Sequence, residues 1–173
     1  MKALVLSVLM LSTVFAFGSD DRIAPACGLN GVQFDVSTTK QSSPAPAPSS
    51  GKALVYFIQD DTKFESRPRP TVRFAVDGSW VGATRANSWF ALQVEPGVHH
   101  ICADWQKKVV LFSVIPEAAA AHFTAQAGQI YYFRMRDRWN KLDGLSIKLA
   151  PLDTDEGPIL LREFSVSTSH PKK

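Results

Sequence analysis

Residues 71–105 read TVRFAVDGSWVGATRANSWFALQVEPGVHHICADW, and the reading of the fold turns on them. Val72, Phe74 and Val76 alternate with Arg73 and Ala75, the period of two expected of a strand with one buried face. Asp77-Gly78 follows, the dipeptide that best tolerates positive φ in a tight hairpin turn. A return strand opens at Trp80-Val81-Gly82, passes a corner at Asn87-Ser88 and alternates again through Phe90, Leu92 and Val94. Pro96-Gly97 makes the second tight turn, because proline fixes its own φ and glycine takes the conformation other residues resist. Beyond it, His99, Ile101, Ala103 and Trp105 share one face of a strand, and His100, Cys102 and Asp104 share the other. Three strands with such short links predict an antiparallel meander whose apolar face needs a second layer.

The flanks supply that layer. Lys52 to Gln59, KALVYFIQ, is a nearly continuous apolar run, which suits a central strand covered on both faces. Val32 to Val36 alternates as a shorter strand. On the other side, His122 to Ala125 resumes strand character and Gln129 to Met135 is rich in aromatic and β-branched residues. Tyr131, Phe133 and Met135 share one of its faces; Asp137 to Gly144 reads as a polar loop and Leu145 to Leu149 as a short strand. The alanines at 118–121 favour a helical turn or two. Acids at Asp153, Asp155 and Glu156 before Gly157 to Phe164 predict a short helix or an arm. The expected fold is all-β: an antiparallel sandwich of about seven or eight strands with a short C-terminal helix or arm.

The chain has 173 residues, enough for one domain with a sizeable core. Met1 to Gly18 reads as a secretory signal peptide: one charge at Lys2, an apolar run from Ala3, and Ala16-Phe17-Gly18 as a small-x-small cleavage site before Ser19. Residues 19–50 form an N-terminal segment whose stretch from Ser37 to Ser50, STTKQSSPAPAPSS, reads as an extended linker. The sandwich is expected over 51–164 and a flexible polar tail over 165–173. These features predict an exported chain, periplasmic or secreted, with no membrane span once the signal is removed. Cys27 lies behind small residues, but Asp20-Asp21-Arg22 and Pro25 spoil a lipidation box, so soluble export is preferred to lipid anchoring. Export makes Cys27 and Cys102 candidates for one disulfide. If Ile101, Ala103 and Trp105 face the core, Cys102 points away from it, and a bond to Cys27 would staple the N-terminal segment over the sheet.

The blocks Gly51 to Tyr56, Val76-Asp77-Gly78, Val81-Gly82, Glu95 to His99 and Gly128 to Tyr132 resemble the bacterial domain of unknown function 2846. The same turn pattern is similar to the short PEGA module. The resemblance spans roughly residues 51–151 and implies an exported immunoglobulin-like or PEGA-like sandwich of the cell envelope, with no established activity.

The chemistry-bearing residues do not assemble into a catalytic motif. A net charge of +3 is mild and dispersed. The basic residues Arg134, Arg136, Arg138 and Lys141, though interleaved with aromatics, read as a solvated strand edge rather than a nucleic-acid surface. His99 and His100 are adjacent on a strand and so point to opposite faces, which prevents their sharing a metal. Cys102 with His100 at i, i+2 is the best nucleophile pair available. The acidic loop at Asp60-Asp61 is the other catalytic candidate, with Asp153, Asp155 and Glu156 a second acidic group. There is no phosphate loop, nucleophile elbow or zinc framework, so neither a metal nor a cofactor is expected. Trp80 and Trp89, beside turns, are the candidate binding residues, able to stack on a sugar or fill a protein pocket. Asp77, Gly78, Pro96 and Gly97 are assigned to the turns. The expected function is a non-catalytic exported module binding an envelope protein or glycan. The alternative is a small envelope enzyme using Cys102 and His100 or the acidic loop.

Overall fold

A computed structural model of the chain describes residues 26–28, 32–41, 45–63, 69–106, 118–140 and 144–173, with the backbone alone at 138–140, 144 and 145. The signal-peptide reading lies outside these residues. Ten strands and one helix follow in chain order: β1 Phe34–Thr39, β2 Ala53–Gln59, β3 Thr71–Val76, β4 Ser79–Arg85, β5 Ser88–Val94, β6 Gly97–Trp105, β7 Ala118–Ala125, β8 Ile130–Asn140, β9 Gly144–Leu152, α1 Glu156–Glu163 and β10 Ser165–Pro171. They form a β-sandwich, one sheet in the order β1-β10-β5-β2-β8-β9 and the other β4-β3-β6-β7.

Strand β2 explains its own composition. It lies between β5 and β8, and every residue in it is buried. Ala53, Val55 and Phe57 point into the core between the sheets, with Val72, Phe74, Ile101, Ala103, Phe133 and Met135. Leu54, Tyr56 and Ile58 point the other way, into a second cluster with Trp89, Tyr132, Leu160, Leu161 and Phe164 under α1. A strand covered on both faces has no reason to alternate. Gly157 lets α1 come close, since a Cβ there would stand 2.5 Å from the Tyr132 ring. The proline-rich stretch also covers this outer face: the Tyr56 hydroxyl donates to the Pro46 carbonyl and Gln93 Nε2 to that of Ala47. Burial and the neighbouring Tyr132 push the Tyr56 phenol up to about 12, which keeps it a donor.

Four sequence readings are corrected. First, residues 71–105 are not a meander. Asp77 and Gly78, at φ 49° and 76°, close the β3–β4 hairpin as expected. The long return strand, however, is two strands, and β5 leaves for the opposite sheet to pair with β2, while β6 comes back to pair with β3. The crossing is made at Ala86, whose φ is 55°, with the Ser88 hydroxyl donating to the Arg85 carbonyl and accepting from its N–H. Second, the alanines at 118–121 belong to strand β7, in register with β6 from Gly97↔Ala125 to Asp104↔Ala118. Helix propensity is worth only tenths of a kcal/mol per residue, and a continuous ladder outweighs it. Third, the polar tail is strand β10, which runs between β1 and β5. Its serines are not solvated: Ser167 Oγ donates to the Ala83 carbonyl, and the Ala83 N–H donates to Ser169 Oγ. Two hydroxyls thus serve the outer edge of β4. Fourth, Ser37 to Thr39 of the expected linker belong to β1, opposite Thr168 to Val166 of β10. The folded unit therefore reaches from β1 to β10, beyond the expected limits of 51 and 164.

Candidate functional site

The core rows of the sandwich end in polar residues. Gln59 continues the row of Ala53, Val55 and Phe57; Thr84 lies opposite Val72; and Asp137 continues the row of Phe133 and Met135. All three are buried, and Asp61, two residues past Gln59, is fully so. They are tied together. Thr84 Oγ1 donates to Gln59 Oε1 at 2.8 Å, and Gln59 Nε2 donates to Asp61 Oδ2 at 2.8 Å and to the Pro70 carbonyl. The Asp61 N–H donates to Asn87 Oδ1, and the Trp105 indole donates to Asp137 Oδ1 at 2.7 Å.

Two carboxyl oxygens stay out of this network. Asp61 Oδ1 and Asp137 Oδ2 are buried with no hydrogen-bond partner among the described residues, and each carboxyl acts on the other's ionisation. One shared proton would satisfy both, because a protonated carboxyl donates to a carboxylate. Burial raises both groups, and the charge of Asp61 helps push Asp137 up to about 7. Asp60, next door, behaves oppositely. Burial would raise it, but the Thr62 hydroxyl, donating to Oδ1 at 2.6 Å, and the Arg136 guanidinium, with Nε 2.7 Å and Nη2 2.6 Å from Oδ2, hold it below its ordinary value. Arg134 is bound by Glu156. These two arginines are thus paired with acids, as a solvated strand edge does not require.

The acids of this loop are therefore buried and engaged, Asp61 with Gln59 and Asp60 with Thr62 and Arg136, rather than solvated. Asp153, in the other acidic group, caps the helix: its Oδ1 accepts from the N–H groups of Asp155 and Glu156. Cys102 is bonded to Cys27 and fully buried, in a small cluster with Ala26 and Ala75 on the outer face of the second sheet. Beside it Arg73 donates to Asp104, which burial raises against the pull of that guanidinium, and lies 4.0 Å over the Trp80 ring. The Val32 carbonyl accepts from Arg73, and the Gln106 amide bonds both the N–H and the carbonyl of Phe34. The N-terminal segment is thus fastened over this face.

His99 and His100 part as the strand period requires. Both ring nitrogens of His99 face acceptors, Nδ1 toward Asp77 Oδ2 and Nε2 toward the Glu95 carbonyl, each at 2.7 Å. Burial opposes its charge, but those two bonds outweigh it and raise its pKa, while Asp77 is held low against the cost of burial by the His100 N–H and His99. His100 is exposed on the opposite face, directly across from the exposed His122 of β7. The two tryptophans separate as well. Trp89 is 3% exposed, its indole donating to the Leu161 carbonyl, so it packs in the second cluster. Trp80 is half-buried under Arg73. Among the described residues no three His, Cys, Asp or Glu side chains gather as a metal site.

A family model described as "Protein of unknown function (DUF2846)" matches residues 49–143. The chain belongs to the DUF2846 family. The matched region runs from just before β2 to just past the end of β8 and carries Asp60, Asp61, Asp137, Cys102 and the His100–His122 pair. Strands β1, β9 and β10, helix α1 and Cys27 stand outside it. No curated protein and no solved structure matches the chain.

Asp137 is the residue the sequence reading missed, having been assigned to a loop. Its signal was the period of two: it stands two beyond Met135 on the core face, so an extended strand buries it.

Proposed function

We propose that this chain is a non-catalytic, exported module that binds a protein of the cell envelope by accepting an extended segment along β7. The single observation that carries the reading is the state of that edge. β7 pairs only with β6 among the described residues, and its eight residues, AAAAHFTA, include no lysine, proline or bulge of the kind that blocks sheet edges. The opposite edge of the same sheet, β4, is served by serines of β10. A sandwich that guards one edge and, among the described residues, leaves the other plain suits strand addition, in which main-chain hydrogen bonds give affinity. Beside β7, Val98 is 61% exposed. A glycan is the weaker choice, since the large exposed apolar side chains among the described residues are Val32, Val98 and Ile159, none of them aromatic.

Export is supported by the disulfide and the Met1 to Gly18 pattern, and no helix among the described residues is long and apolar enough to cross a membrane. The competing enzyme loses its nucleophile, because Cys102 is held in the disulfide. Photo-crosslinking side chains at Ala120 and Thr124, compared in cells with one at Asp35 on β1, test the reading. A discrete protein adduct from the β7 positions is expected, lost when lysines replace the exposed Ala120 or Thr124 with the crosslinker at the other position. Adducts that survive the lysines, or that form equally from Asp35, overturn it.

A further inference from the structure

The β6–β7 ladder sets His100 opposite His122, with ring centroids 6.0 Å apart. Both side chains are exposed, and neither makes a side-chain hydrogen bond or ion pair among the described residues. Cross-strand neighbours on one face are held at fixed spacing by the ladder, so the two imidazoles are brought together without ordering a loop. The flanking pairs on this face, Val98↔Thr124 and Cys102↔Ala120, carry no charge, and Asp77, whose Oδ1 accepts from the His100 N–H, is the nearby acid. The other two histidines are placed differently: His99 has both nitrogens bonded, and His170 lies on β10 opposite Asp35.

We propose that His100 and His122 form a two-imidazole site for a late first-row divalent cation, of the Zn(II), Ni(II) or Cu(II) class, on the face of the β6–β7 hairpin. Imidazole suits these ions, and metal–nitrogen bonds of about 2 Å in a tetrahedral shell put two ring centroids about 5 Å apart. The observed separation needs closure of roughly 1 Å, within the rotamer motion of exposed side chains. Water fills the remaining positions. A metal held here joins β7 to β6 through side chains as well as backbone and steadies the edge strand. The site rests on the strand register alone and does not depend on the partner proposed for β7.

The test is titration of the full-length, untagged chain with Zn(II) or Ni(II) alone. One site per chain is expected, weakened about tenfold or more in His100→Ala and in His122→Ala and unchanged in His170→Ala. In the wild-type protein paramagnetic Ni(II) should broaden the His100 and His122 ring resonances before those of His99 and His170, a readout that needs no variant. Equal affinity in either single variant, equal loss in His170→Ala, or broadening spread over all four histidines would mark an adventitious ion only and overturn the proposal.

Discussion

Replacing Asp137 by asparagine tests the shared proton at the end of the core. The substitution keeps the shape, leaves Oδ1 to accept from the Trp105 indole, and offers an N–H to the unpartnered Asp61 Oδ1. It fixes the pair in the state that one proton gives the native protein. An aspartate titrates near pH 4 in the unfolded chain and at about 7 here, so the folded state holds one more proton than the unfolded state between those limits. Stability in that window falls as pH rises, by about 1.4 kcal/mol per pH unit, or about 4 kcal/mol over three units. That contribution is fully present below pH 4 and lost by pH 8. The Asp137→Asn variant lacks it. It should match the native protein at pH 4 and exceed it by up to about 4 kcal/mol at pH 8. Urea unfolding at pH 4, 5.5, 7 and 8, with constant m-values, measures the difference. Native and variant stabilities that run parallel across this range would refute the shared proton.

Three further outcomes are expected. Reducing Cys27–Cys102, which closes a loop 75 residues apart in sequence, should destabilise by about 4 kcal/mol in the chain-entropy model and reveal no activity; a melting temperature unmoved by reductant would exclude the staple. Valine at Gly78 or Gly97, where φ is 76° and 146°, should cost about 1 kcal/mol or more, read as a shifted denaturation midpoint. The raised pKa of His99 contributes stability below the unfolded value, near pH 6.5, that is lost as pH rises through the folded one; His99→Gln should flatten that slope, and an unchanged slope would show the imidazolium bonds to be idle.

Much of the sandwich was legible because alternation is local. The faces of β3 and β6 follow from every second residue, and from them the outward Cys102 and its bond to Cys27. The sheet to which a strand belongs is not local. Phe90, Leu92 and Val94 alternate whether β5 continues β4 or crosses to β2, and one positive φ at Ala86 decides between them. Polarity misled at β10 for a related reason. A serine bonded to a strand edge and a serine in water are the same letter, and only the neighbouring β4 distinguishes them. The same holds for Trp89: a tryptophan beside a corner is a binding residue or a core residue according to whether a helix covers it, and here α1 does.

The place of β10 between β1 and β5 fixes an order of assembly. Strand β1 is the first described strand in chain order, yet its described ladder partner is the last. Until residues 165–171 emerge, β1 has no described partner strand, β5 is open on one side and the β4 edge lacks its hydroxyls. Cys27 and Cys102 meet no such delay, since both precede β7. The covalent tie can therefore close on a nascent half-sandwich and hold the N-terminal segment in place while the closing strand is still being made.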